Sequence, residues 1–223
     1  MQKLKLISFP ICPFAQKTII TFNLKGAEFD VEYVDPSKKP AWFYDFSPSG
    51  KVPILVVDDN NVIFESDVIN EYIDETITPS LLPQDPLNKA WVRAWIKFSS
   101  EVLSDFNSMV FAYDQNSFEQ TYKDFLKKLE KLEDVIGKDG FFYGKQPTMI
   151  DANFGVIFYR LYQFEFMKND SKFRSFNKVA KWADNLNSMQ EIKGSVPNGF
   201  NGFFESFLKN KQSYLYQFLN TKK

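Results

Sequence analysis

The chain has 223 residues, 44% of them hydrophobic, and its 27 Lys and Arg nearly balance 28 Asp and Glu for a formal net charge of -1. That composition is globular, and charges so evenly interspersed leave no basic footprint for a nucleic-acid partner. The lack of histidine removes Ser-His-Asp and Cys-His mechanisms and imidazole metal sites, and a lone cysteine excludes an internal disulfide or a thiolate zinc site, so no metal is expected.

The apolar stretch at 6–9 is cut by Pro10 and Pro13, too short for a signal sequence, and nothing nears the roughly 18 apolar residues of a membrane span. A single unpartnered thiol suits a reducing compartment, and the expectation is a cytoplasmic protein without a membrane partner.

In chain order, KLKLISF (3–9) alternates like a strand, and Pro13 opens a helical face of Phe14, Thr18, Ile19 and Phe22 that stops at Gly26. EFDVEYV (28–34) alternates again, and KPAWFYDF (39–46) is a short helical candidate. VPILVVDDNNVIF (52–64) reads as two strands joined by an Asp-Asn turn, antiparallel because the turn is short, and Ser66 caps a helix to about residue 75. The order β-α-β-α-β-β-α is that of a thioredoxin-like sheet.

TITPSLLPQDP (76–86) breaks both periodicities and is read as a linker. Beyond it the pattern is helical throughout. Residues 87–110 carry Trp91, Trp95, Phe98, Val102 and Phe106 on one side, and a second stripe runs from Phe118 through Ile136 to Gly137. PTMID (147–151) offers Thr148 and Asp151 as a short-armed capping box opening a buried helix. The expected architecture is an α/β thioredoxin-like domain over 1–76, a linker over 77–86 and an all-α domain over 87–223.

Cys12 sits in FPICPFAQK (9–17), at the junction of the first strand and the first helix. A lone cysteine is by default a small core hydrophobe. With Pro13 beginning the helix, however, the thiol faces free backbone N–H groups, a setting that lowers thiol pKa values, and Lys17 is the cation expected to help. Ala15 stands three residues on, so no resolving cysteine follows, and the second thiol must come from solution.

CPFA (12–15), KVPIL (51–55), FES (64–66) and FNGFFESFLKN (200–210) resemble the cytosolic glutathione S-transferases, and among their classes the omega type. The resemblance implies Cys12 as catalytic thiol, with Phe14, Lys39, Val52, Pro53, Glu65 and Ser66 holding glutathione. It places Lys39 on the glycyl carboxylate, Val52 before a cis Pro53 against the cysteinyl unit, and Glu65 and Ser66 on the γ-glutamyl end. Arg160, Phe200 and Phe207 fall where the family lines its second-substrate pocket, Phe200 replacing a frequent Trp. It further implies a homodimer, and a thiol transferase or dehydroascorbate reductase that uses glutathione as co-substrate. A non-enzymatic interaction module and a glutathionyl-quinone reductase are the alternatives.

Overall fold

The computed structural model describes residues 2–219. Strands β1 (Leu4–Ser8), β2 (Asp30–Tyr33), β3 (Ile54–Val57) and β4 (Asn61–Phe64) form one mixed sheet in the order β2-β1-β3-β4. Helix α1 (Pro13–Leu24) carries the chain back across the sheet, so β1 and β2 are parallel, while β3 runs antiparallel to both β1 and β4. The β3–β4 turn puts Asp58 and Asp59 at φ 49° and 62°, one residue earlier than the Asp-Asn pair that the sequence suggests.

Two boundaries differ from expectation for local reasons. The helix expected over 39–46 shrinks to α2 (Phe43–Phe46), because Pro40 biases the residue before it away from helical backbone, and Lys39 lies in the preceding loop. Helix α3 (Ser66–Thr76) starts one residue early, with Ser66 its first residue and Glu65 in the cap position, making no side-chain cap bond.

The rest of the described chain is helical: α4 (Pro86–Phe111), α5 (Gln115–Glu133), α6 (Met149–Leu161), α7 (Glu165–Lys168), α8 (Ser171–Ser175), α9 (Asn177–Ser188), α10 (Gln190–Lys193) and α11 (Phe200–Asn210), followed by a 3₁₀ turn over Tyr214–Phe218. No helix among the described residues is long and apolar enough to cross a membrane. The buried line of α4 runs through Val92, Ile96, Ser99 and Val102. Of the stripe read from the sequence, Val102 and Phe106 are on the buried side, while Trp91, Trp95 and Phe98 flank the line one position away as an aromatic ladder, the two tryptophans against Phe142 and Phe98 against Trp95.

Residues 15–22 of α1 are all buried, the polar Gln16, Lys17, Thr18 and Thr21 included. The sheet and α3 cover one side of this helix, and α6 and α10 cover the other. Close approach to α6 needs Gly155: a Cβ there would lie 2.8 Å from the Ile192 side chain and 3.5 Å from that of Ile20. The start of α6 is fixed by Asp151, whose carboxylate takes the Thr148 N–H at 2.7 Å and hydroxyl at 2.8 Å. It also accepts from the Phe142 N–H at 3.0 Å and the Trp182 indole at 2.7 Å, so the expected capping box is part of a larger buried network.

The segment between α3 and α4 is held tightly. The Lys25 ammonium, at the end of α1, lies 2.8 Å from the buried Asp74 carboxylate and also donates to the Pro79 carbonyl. Asp74 in turn accepts from the Ser80 hydroxyl at 2.7 Å and the Leu81 N–H at 2.5 Å. Leu81 and Leu82 are buried in the helical core. A buried ion pair with its remaining acceptors satisfied resists opening, because separating the partners leaves an uncompensated charge.

Candidate active site around Cys12

Cys12 is the N-cap residue of α1, with extended backbone (φ -70°, ψ 118°), and Pro13 at the first helical position fixes the entry. Its sulfur accepts the Ala15 N–H at 3.5 Å, and its S–H points to the Val52 carbonyl at 3.8 Å. The partly buried thiol is therefore at a helix start, where the sequence places it, and the structure adds Val52 as its neighbour. The direction of its pKa differs from expectation. Burial pushes the Cys12 thiol above its ordinary value, and the Ala15 N–H, the Arg160 charge, the Phe14 N–H and Lys17 pull it down less strongly.

Lys17 contributes little because its ammonium is already taken by Asp67 at 2.5 Å. The stronger cation comes from α6. Arg160 is buried, its Nε donating to the Gln16 side-chain carbonyl at 2.9 Å and its Nη2 to the Ile11 backbone carbonyl at 3.0 Å. Gln16 passes the connection on, donating to the buried Ser195 hydroxyl at 3.1 Å.

Two cavities flank this loop. The first, of about 240 Å³, brings together Phe14, Val52, Pro53, Glu65 and Ser66, five of the residues expected to hold glutathione. The Val52–Pro53 peptide is cis. Glu65 stands at φ 70° and ψ 112°, backbone that a non-glycine residue rarely adopts and that recurs at ligand sites. Ser66 is buried at the first turn of α3, where backbone N–H groups attract a carboxylate.

Lys39 does not line this cavity. It is half-buried, its ammonium donating to the Gly50 carbonyl at 2.8 Å and lying over the rings of Phe9, Phe43 and Tyr44. The cation on the cavity wall is Lys51, accompanied by Ser47, whose hydroxyl ties down the same loop by bonding both the N–H and the carbonyl of Lys51. Sequence reading missed Lys51, although its place directly before Val52 was the available signal.

The second cavity, of about 270 Å³, opens on the other side of Phe14 and is mostly apolar. Arg160 and Phe207 line it as expected, joined by Asn107, Phe111 and Phe204, which the sequence did not single out. Phe200 is not on its wall. It is buried behind Arg160, stacked on Phe204 at 5.6 Å with the guanidinium 5.4 Å over its ring. A further cavity, of about 740 Å³, lies at the opposite end of β1, against Gly26 and Ile77, and contains none of these residues.

A thiol at a helix start thus stands near two cavities that share Phe14, one with Ser47, Lys51, Glu65 and Ser66 on its wall and one mostly apolar. Residues 11–76 match the family model described as the glutathione S-transferase N-terminal domain, and residues 101–196 match the C-terminal domain model. The chain is 32% identical over 161 residues to glutathione S-transferase omega-1 of Sus scrofa, covering 71% of this chain and 67% of that protein. It is 33% identical over 208 residues to glutathione S-transferase U1 of Arabidopsis thaliana, covering 88% of this chain and 89% of that protein. Rice GST1, solved in complex with glutathione, superposes with a TM-score of 0.79 at 23% identity over 94% of this chain and 97% of the other. The chain belongs to the glutathione S-transferase family.

Proposed function

We propose that this chain is a glutathione-dependent thiol transferase of omega-like type in which Cys12 works as a single thiol. The observation that carries the reading is the sole cysteine at the N-cap of α1, against Val52 and next to the Glu65–Ser66 cavity, with Ala15 and no second thiol one turn on. Glu65 and Ser66 take the γ-glutamyl end of glutathione, and the Val52 backbone pairs with its cysteinyl unit. Lys51 faces the glycyl carboxylate, while Lys39 acts through the Gly50 loop. Phe14, Phe207 and Arg160 border the second substrate. The omega-1 relative supports this reading.

In the first half-reaction the Cys12 thiolate attacks the glutathionyl sulfur of a mixed disulfide. A Cys12–glutathione bond forms, the substrate's S–S bond breaks, and the substrate thiolate leaves and takes a proton from water. A glutathione thiolate then attacks the glutathionyl sulfur on Cys12, giving oxidised glutathione and returning Cys12 as thiolate. Dehydroascorbate is a further acceptor for the same pair of glutathione electrons.

Steady-state assays of wild type and Cys12→Ser against a glutathione mixed disulfide, dehydroascorbate and a chloronitrobenzene test the proposal. The expected result is disulfide turnover that Cys12→Ser abolishes, with weak conjugation in wild type. The longer match to the Arabidopsis relative favours a second reading, a conjugating transferase. Conjugation that is fast in wild type and survives Cys12→Ser establishes that reading instead. Absence of all turnover, with no retention on immobilised glutathione, points to an interaction module.

The proposal includes a reducing, cytoplasmic setting and a homodimer through α3 and α4. The exposed Val68, Leu87 and Trp91 on these helices support that contact. A dimer mass by light scattering at micromolar concentration is the expected result, and a monomer mass rejects it.

A further inference from the structure

Arg160 is buried, yet among the described residues no carboxylate pairs with it. A buried guanidinium is costly to keep charged unless something nearby carries the opposite charge. Its two acceptors, the Ile11 carbonyl and the Gln16 amide, are both neutral. The other buried cations differ: Lys25 has Asp74 and Lys17 has Asp67. The narrow space behind the thiol is lined by Cys12, Gln16, Tyr33, Arg160 and Ser195, with no acid on its walls.

We propose that Arg160 is the counter-charge of the Cys12 thiolate and the anchor of the loop that presents it, a positioning residue supplied to the nucleophile by the helical half of the chain. The inference rests on the thiol-transferase reading of Cys12.

Three features of the geometry support it. Arg160 holds Ile11, the residue directly before the nucleophile, and Gln16, whose backbone N–H closes the first turn on the Cys12 carbonyl at 3.0 Å. The rings of Phe200 and Phe204, at 5.4 and 5.8 Å from the guanidinium, pack against it as cation–π partners. The charged and titratable groups facing the thiol are few. Arg160 comes from α6, Lys17 from α1 is neutralised by Asp67 of α3, and Tyr33 from β2 is held protonated by burial. Burial draws Arg160 down to about 10, still charged at neutral pH, and Cys12 is the first group opposing that fall. Burial favours the protonated thiol, and the Arg160 guanidinium joins the Ala15 N–H in opposing it, as the first of the charged side chains to do so.

Because Cys12 is the only cysteine, iodoacetamide labelling of the intact native chain reports this thiol alone. Alkylation rates against pH for wild type, Arg160→Lys and Arg160→Met, with thermal unfolding of each, test the assignment. Removing a charge close to a thiol moves its titration by about a unit or more. Arg160→Met is therefore expected to shift the profile to higher pH and to slow alkylation at pH 7 at least about fivefold. Arg160→Lys, which keeps the charge, stays close to wild type. Where Arg160→Met does not fold, Gln16→Met, which frees the guanidinium without discharging it, is expected to move the profile in the same direction by less. A Met variant whose profile overlays wild type, a Lys variant displaced as far as the Met variant, or an unmoved Gln16→Met standing in for an unfolded Met variant overturns the counter-charge. A wild-type thiol that alkylates only after denaturation overturns the thiol-transferase reading together with it, whereas a reactive thiol with unmoved variants removes this inference alone.

Discussion

The two walls around Cys12 are built in opposite ways. The polar wall, apart from Phe14, comes from residues 47–66, and backbone features shape it: a cis peptide, a left-handed Glu65 and the first turn of α3. The apolar wall is side chains gathered from α4, α6 and α11, held by a core rich in aromatic rings. A wall made of backbone keeps its shape when side chains change, so its substitutions act on binding. A wall made of buried rings belongs to the core, so its substitutions act on stability first.

Phe204→Ala should separate these behaviours most strongly. The ring is almost wholly buried and packs on Phe200 and Phe164, so truncation is expected to cost about 3–5 kcal/mol in denaturant unfolding. Phe207, half-buried on the same helix, lines the cavity without filling the core. Phe207→Ala is expected to raise KM for an apolar second substrate while leaving glutathione affinity unchanged, and an equal loss of both would erase the distinction between the walls.

On the polar wall, Glu65→Ala and Ser66→Ala should each weaken glutathione binding by about 1.5–3 kcal/mol, the range for a hydrogen bond to a charged group. Unfolding midpoints should stay near wild type. Calorimetric titration provides the check. Glu65 is exposed and Lys39 half-buried, the reverse of what their sequence surroundings suggest, so the ranking of these sites depends on ligand contact and not on burial. Lys51→Ala is the smallest expected effect, at most about 1 kcal/mol, because the side chain is exposed and solvent screens its charge. Lys51→Ala proving the most damaging of the three would mean that the cavity is more closed than its exposed rim indicates.

How far the sequence could be read follows the same division. Phe14, Val52, Pro53, Glu65 and Ser66 lie in contiguous motifs beside strand and helix ends, and local patterning plus family resemblance brings them to one cavity, with Cys12 against Val52. The succession of strands and helices along the first 76 residues, the antiparallel β3–β4 pair and the capping box at Asp151 were legible for the same reason, since each depends on residues close in the chain. Arg160 was legible only as a pocket residue. Its contact with Ile11 spans 149 positions, and nothing in FPICPFAQK reports a guanidinium arriving from α6. Lys17 looked like the helper because it is near in sequence, but Asp67 of α3 has claimed it. Phe200, Phe204 and Phe207 share one helix at spacings of three and four, and periodicity cannot tell which ring faces a cavity and which fills the core. On α4 the stripe was read correctly at Val102 and Phe106 and missed by one position at Trp91, Trp95 and Phe98, which flank the buried line without forming it.

The central claim is that Cys12 is an accessible nucleophile that forms a mixed disulfide with glutathione. Intact-mass measurement of the native chain after incubation with oxidised glutathione tests it most directly. The account predicts one glutathionyl adduct per chain, on Cys12, slow to form at pH 7 and faster as pH rises because burial holds the thiol above its ordinary value, and removed by excess reduced glutathione. A chain that stays unmodified across that pH range and reacts only after denaturation would contradict it, leaving Cys12 a packing residue at the start of α1.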